Sequence, residues 1–299
     1  KIAKQYNFPH ITLDYQDKFF EGVIDDFVET YADGQTPVPC IRCNQTVKFR
    51  DLLNEVRAMN ADTLVTGHYV RRFGGETNSK LFKAKDSSKD QSYFLFATLQ
   101  EQLDFVRFPL GDYLKSEIRA MALEFNLIVS DKPDSQDICF VTSKTYRDFL
   151  EKIKPDLNIS GNIVDINENI LGVHKGIANY TIGQRKGIGI GGSNLPLYVI
   201  DIIKEKNQIV LGESEFLKKT TISLKNINWL DKSIIINNLK CSAKIRSTQK
   251  ESSGILKVDS NIAEFIFDED INNTSPGQAC VFYLHDQVLG GGWITKSVN

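Results

Sequence analysis

The hydrophobic period of this chain changes near Tyr146, and that change limits the fold more than any other feature. Before it, apolar residues recur at helical spacing with short apolar runs between. After it, short segments alternate apolar and polar residues between turn signals. In the first half ITLDY reads as a short strand and DKFFEGVIDDFVETYADG as a helix stopped by Gly34. TVKFRDLLNEVRAMNA follows as a helix with Phe49, Leu52, Leu53, Val56 and Met59 on one stripe, then DTLVTGHYV as a buried strand ending at Gly67. YFLFATLQEQLDFVRF and YLKSEIRAMALEFNL read as two more helices. Strands alternating with helices over short connections predict an α/β unit whose parallel sheet is covered on both faces. Ligands of such sheets sit at the carboxyl ends of strands, where Gly67 and His68 fall.

The second half opens with a helix, YRDFLEKI, ended by Pro155. GNIVDINENILGVHKG, PLYVIDIIKEKNQIVLG, CSAKIRSTQ, GILKVDS, IAEFIFDE and QACVFYLHDQVLGGGWI then predict two small β-rich modules, the last a barrel. LGESEFLKKTTISL breaks the strand pattern. The expected division is therefore an α/β domain over 1–145, a central β-rich domain over 146–217 and a C-terminal barrel over 218–299.

A formal net charge of −2 leaves no global basic footprint, so a nucleic acid must be held by a local cationic surface. No apolar run reaches the length of a membrane span and the N-terminus shows no signal core, which predicts a cytoplasmic protein without a membrane partner. In that reducing setting the five cysteines do not form a disulfide scaffold; close spacing reads as redox chemistry or metal binding.

TPVPCIRCN holds a Cys-X-X-Cys pair, Cys40 and Cys43, expected just before a helix with Asn44 or Thr46 as N-cap. A helix N-terminus favours thiolate, the nucleophilic form. The pair alone fits nucleophilic or redox chemistry, and against that stand half a zinc site or two core cysteines. DKPDSQDICFV places Cys139 behind Asp131, Asp134, Ser135, Gln136 and Asp137, although a buried cysteine in a short strand fits as well. In SSKDQSYFL, Asp90 or Ser92 caps a helix while Lys89 suits a phosphate and Gln91 a base edge; a solvated loop is the plainer alternative. YTIGQRKGIGIGG, with Arg185 and Lys186, lacks the strand-loop-helix context of a dinucleotide site, because a strand follows it. It suits a cationic loop against RNA phosphates or an ordinary surface loop. Cys241 and Cys280 alternate with apolar neighbours, as core residues do.

In order and spacing, TPVPCIRCN, LVTGHY, KDQSYFL, SDKPDSQDICF, YTIGQRKGIGIGG, SPGQACVFY and VLGGGWI together resemble the bacterial tRNA-specific 2-thiouridylases over essentially the whole chain. The resemblance implies an adenylating α/β domain of the PP-loop ATPase type followed by the two β modules. It implies ATP-dependent 2-thiolation of the wobble uridine of tRNA: ATP, with Mg2+, adenylates the base at its C2 oxygen. Cys139 would then carry sulfur as a persulfide, loaded by a sulfur carrier or cysteine desulfurase. Cys43 would be the nucleophile that releases it and forms a disulfide with Cys139. The same resemblance makes Gly67 a nucleotide contact and puts Val38, Pro39 and Cys40 against the target base. It makes His68, Lys89, Asp90, Gln91, Arg246, Ser247 and Gln278 tRNA contacts.

Two departures stand out. The family's SGGVDS-type loop, which holds the ATP pyrophosphate, has no counterpart here. The expectation is a fragment of an active enzyme that as written does not split ATP; a truncated tRNA-binding protein without catalysis is the alternative. Second, Cys40 stands where many relatives carry Asp. Three neighbouring thiols are also a ligand set for an iron–sulfur cluster with one open iron, an alternative route to thiolation.

Overall fold

The computed structural model describes residues 1–130, 138–141, 145–191, 195–234, 237–272 and 274–295. The long helix expected over the first aromatic run forms as three continuous pieces, Gln16–Phe19, Phe20–Ile24 and Asp25–Ala32, the middle one a widened turn. Gly34 ends it with φ +67°, and the Gly34 and Gln35 amides donate to the carbonyls of Tyr31 and Thr30. The next helix also runs in three pieces, Pro39–Cys43, Asn44–Leu52 and Leu53–Ala58, again widened in the middle. Of its predicted stripe, Phe49 and Leu53 are fully buried, but Met59 lies past its end and is exposed. ITLDY forms no strand, and Ile11 is exposed.

The expected buried strand shrinks to β1 (Leu64–Val65), which pairs in parallel with β4 (Val106–Arg107). With β4 as its sole neighbour among the described residues, β1 leaves Val65 57% exposed, so it is not covered on both faces as expected. Tyr93, Leu95 and Phe96 are buried around a short 3-10 turn, Ser92–Leu95, and only Gln100–Phe105 of the predicted long helix is α-helical. Packing of an all-round apolar run overrides helical propensity there.

The strand-rich half meets its sequence pattern closely. A four-stranded sheet runs in the order β6 (Ile170–His174), β5 (Gly161–Val164), β8 (Gln208–Gly212), β7 (Tyr198–Ile203). Beyond it, β9 (Lys219–Trp229), β10 (Leu239–Lys244), β11 (Ser252–Asp259), β12 (Ile262–Ile271), β13 (Ala279–Leu284) and β14 (Gln287–Ile294) close into a six-stranded barrel through the β13–β14 pairing. Closure removes free edges. Its interior holds Leu256, Phe265, Cys280, Phe282 and Leu289, all fully buried, with Cys241 nearly so. β9 starts inside the segment expected to break the strand pattern.

One connection was invisible to periodicity. A hairpin of β2 (Val70–Phe73) and β3 (Lys80–Lys83) leaves the first half and extends the barrel sheet, Leu81 opposite Val288 and Phe82 opposite Gln287. Lys83–Glu251 at 2.6 Å and Lys80–Asp231 at 2.8 Å tie it down further. One apolar core, containing Phe49, Tyr93, Leu81, Tyr283 and Val288, therefore joins the helical half to the barrel.

Candidate active site

Cys40 lies in the first turn of the helix and Cys43 is its fifth residue, so both are inside it rather than ahead of it. Val38 takes the N-cap position and Pro39 the first turn, where a missing N–H costs nothing. Asn44 and Thr46 are inside the helix and cap nothing. Asn44 Nδ2 instead donates to Phe94 O at 3.2 Å, and Thr46 Oγ1 to Arg42 O at 2.7 Å. The helix is held against its neighbour by an Arg42–Asp26 ion pair of 2.7 Å.

The entry to this helix is built by the barrel. Gln278 Nε2 donates to the carbonyls of Thr36 at 3.2 Å and Pro37 at 3.4 Å, and Thr36 N donates to Pro276 O at 2.8 Å. Gly277 makes this approach with φ +86°; a Cβ there would lie 3.0 Å from both Gln35 Cβ and Thr36 O. Arg246 Nη2 donates to Ser275 Oγ at 3.4 Å in the same turn, and Ser247 follows half-buried. Residues taken from sequence as RNA contacts thus form a seam that positions the thiol helix.

Cys139 comes to the site from a separate loop. Its neighbours Ile138 and Phe140 pack inward, Phe140 placing its ring edge-on to Phe19 at 5.6 Å and Phe27 at 5.2 Å. Cys139 between them is exposed. The polar cluster Asp131, Asp134, Ser135, Gln136 and Asp137 lies outside the described residues. All five cysteines are free thiols; Cys40 is exposed, Cys43 half-buried, Cys241 and Cys280 buried.

Electrostatics runs against the thiolate expectation. Loss of solvent raises the Cys40 thiol above its ordinary pKa, repulsion from Cys139 raises it further, and Lys48 opposes both. For Cys43, desolvation again leads, Lys48 pulls the other way, and Cys139 and Cys40 add to the rise. Desolvation of a nascent charge outweighs the helix end here. The three thiols and Lys48 therefore share one field. Lys48 was not singled out from the sequence; a lysine in a helix carries no local signal of the thiols that folding brings to it. Among the described residues, no three His, Cys, Asp or Glu side chains are grouped to hold a metal ion, so Cys40, Cys43 and Cys139 are not arranged as cluster ligands.

His68 stands beside this group. Burial, followed by Lys48, pushes its pKa down to about 4, so the imidazole is neutral at physiological pH. Its Nδ1 lies 2.9 Å from Thr66 Oγ1, and its ring sits edge-on between Phe49 and Phe108. A Cβ at the neighbouring exposed Gly67 would meet only Leu110, at 3.7 Å, so nothing in the fold demands glycine there.

The other sequence candidates divide. Val38 and Pro39 are buried, leaving Cys40 as the open side chain of that stretch. Asp90 is committed within the protein: its carboxylate accepts from Ala84 N at 3.0 Å and Ser92 Oγ at 2.7 Å and faces Lys244 at 3.8 Å. Gln91 Oε1 accepts from Tyr69 N at 2.8 Å while Gln91 N donates to Tyr69 O, which fixes the residue next to His68. Lys89 is half-buried beside them. Arg185 and Lys186 are exposed on their glycine-rich loop, with strand β7 after it.

Comparison with known proteins bears on all three parts of the chain. Residues 1–143 match the tRNA methyl transferase HUP domain, residues 147–213 the tRNA methyl transferase PRC-barrel domain and residues 219–294 the aminomethyltransferase beta-barrel domain. Proteins named tRNA-specific 2-thiouridylase MnmA align over almost the whole of this chain. That of Ehrlichia ruminantium (strain Gardel) is 48% identical over 98% of this chain and 80% of its own length. The Paracoccus denitrificans (strain Pd 1222) protein is 47% identical over 99% and 77%. The protein from Wolbachia sp. subsp. Drosophila simulans (strain wRi) is 49% identical over 98% and 79%.

Proposed function

The chain belongs to the tRNA-specific 2-thiouridylase family, and from that premise we propose that it moves sulfur from a Cys139 persulfide to C2 of the wobble uridine of tRNA, with Cys43 as the releasing nucleophile. The family's reaction is ATP-dependent 2-thiolation of a tRNA uridine, a sulfurtransferase activity. ATP is written here as substrate, accompanied by Mg2+. Adenylation of the C2 oxygen turns a poor leaving group into AMP. The Cys43 thiolate attacks Cys139 Sγ, the persulfide bond breaks, and hydrosulfide departs with the electron pair. Hydrosulfide adds to C2 and AMP leaves, forming 2-thiouridine and a Cys43–Cys139 disulfide. The observation that carries this reading is that Cys43 and Cys139 are free thiols on separate elements, and that both Cys139 and Lys48 act on the Cys43 thiol.

The chain's own residues supply position and field. Gln278 and the Ser275–Gln278 turn hold the entry to the thiol helix; Lys48 favours thiolate over thiol. Neutral His68 serves as hydrogen-bond partner, not cation, for the base, and Gly67 leaves its backbone open to the nucleotide. Exposed Arg185 and Lys186, with Lys89, offer cations to the RNA backbone, which a net charge of −2 requires to be local. Arg246 and Gln91 have surface left for RNA besides their internal bonds, and Ser247 is half-buried next to Arg246. Val38, Pro39 and Asp90 act from beneath, by placing Cys40 and the Ser92 turn. A carrier that delivers sulfur must reach Cys139, which its exposure permits, and the reaction suits a cytoplasmic setting. The working division is catalytic domain 1–145, central domain 146–217 and barrel 218–299, with the β2–β3 hairpin crossing that division.

The test is nucleoside analysis of a tRNA transcript incubated with ATP, Mg2+, a persulfide donor and the chain joined to the family's SGGVDS-type loop. Cys43→Ser and Cys139→Ser should each abolish 2-thiouridine. Full product from either variant would sink the assignment of that thiol.

A further inference from the structure

Cys40 is the third thiol of the site, and sulfur transfer as described above leaves it without a part. Three features give it one. It lies three residues before Cys43 on a single helical turn, a spacing that puts Cβ atoms roughly 5–6 Å apart. A disulfide needs about 3.5–4.5 Å, so fraying of the first turn closes the gap. That turn has no side-chain cap bond for the rearrangement to break. Cys139, held between the anchored Ile138 and Phe140, acts on both helix thiols, so Cys43 has a sulfur neighbour on its own helix and one from the loop. Finally, Cys40 is exposed whereas Cys43 is half-buried, so a reductant from solution reaches Cys40 more readily.

We propose that Cys40 is the resolving thiol of this site: its thiolate attacks Cys43 Sγ of the Cys43–Cys139 disulfide, transferring the bond to Cys40–Cys43 and freeing Cys139. The inference rests on the persulfide reading above. One sulfur–sulfur bond forms and one breaks, and the electron pair of the broken bond leaves on Cys139 as thiolate. No net oxidation occurs. An external dithiol, small or protein-borne, later donates two electrons to the Cys40–Cys43 disulfide and is itself oxidised. The benefit is kinetic: Cys139 can accept new sulfur before any external reductant arrives, because the exchange is intramolecular.

The experiment reads disulfide connectivity. Trypsin cleaves after Arg42, which separates Cys40 from Cys43, and after Lys48, so each linkage gives a distinct peptide pair. The chain joined to the family's SGGVDS-type loop, loaded at Cys139 with inorganic polysulfide, is mixed with ATP, Mg2+ and tRNA transcript for one turnover, then quenched with acid and N-ethylmaleimide. The expected linkage is Cys40–Cys43 in the native sequence and Cys43–Cys139 in Cys40→Ser. The ratio of steady-state rate to first-turnover rate should fall about fivefold or more in Cys40→Ser at limiting dithiol. Thiouridine formed while Cys43–Cys139 persists in the native sequence overturns the resolving role and leaves sulfur transfer standing. Retention of the Cys139 persulfide with no thiouridine overturns the transfer reading and this inference together. A merely structural Cys40 would not move the linkage.

Discussion

Replacing Gln278 with methionine keeps the side-chain length and removes two hydrogen bonds, those to Thr36 O at 3.2 Å and Pro37 O at 3.4 Å. Both are at or beyond the long end of the usual range, so each is worth about 0.5–1 kcal/mol net. The bond from Thr36 N to Pro276 O at 2.8 Å remains, so the seam loosens without opening. The local loss is roughly 1–2 kcal/mol, which corresponds to about 5–30-fold faster amide exchange in the segment it holds. Hydrogen exchange read by mass spectrometry should show this at Thr36, Val38, Cys40 and Ile41, with the barrel strands unchanged. Thiolation should fall with it, by about tenfold for each 1.4 kcal/mol of misplacement at Cys43. Unchanged exchange together with weakened tRNA affinity would refute the reasoning, since Gln278 would then be an RNA contact and not a clamp.

Lys48→Met removes the cation that lowers the Cys40 and Cys43 pKa values, so their alkylation-versus-pH curves should move to higher pH; a shift downward would remove Lys48 from the site. His68 should titrate near pH 4 by NMR, and because its unfolded form binds a proton already near 6.5, its contribution makes stability fall as pH drops from about 6.5 towards 4. A His68→Gln variant that shows the same loss across that window would assign it to other groups. Phe140→Ala deletes the ring contacts that anchor the Cys139 loop and should destabilise by about 2 kcal/mol, less than for a fully buried ring. Thermal melting reads the stability, and Cys43–Cys139 crosslinking with diamide should slow; unaltered crosslinking would show that the loop is held by something else. Gly277→Val places a branched side chain at φ +86° against Thr36 and Gln35 and should lower both stability and thiolation, a result checked by melting and nucleoside analysis.

Much of the β-rich half was legible because strand alternation is a local property: each of the six expected runs became strand, and Cys280 took its place inside the barrel. The helical half was read less well. Tyr93, Leu95 and Phe96 are apolar on every side, a pattern that does not distinguish a helix from a buried irregular turn. DTLVTGHYV has strand composition, yet it splits: Leu64 and Val65 pair with Val106 and Arg107 some forty residues on, and Val70 opens the β2–β3 hairpin. The β2–β3 hairpin pairs with residues about two hundred positions away, and no window of sequence carries such information.

By itself the sequence determined the two periods, the strands of the barrel and the two thiols three residues apart, since each depends on neighbours along the chain. Its motif order also determined the family. Only the tertiary structure decided what those residues do for one another. It put Cys139 near a helix a hundred residues earlier, set Lys48 in the same field, and turned Gln278 and Asp90 from surface candidates into braces. It also made the Cys40 and Cys43 thiols weaker acids than their place at a helix start suggests. The reason is that desolvation, packing and long-range hydrogen bonding depend on what surrounds a group in space, which the order of residues specifies only through the completed fold.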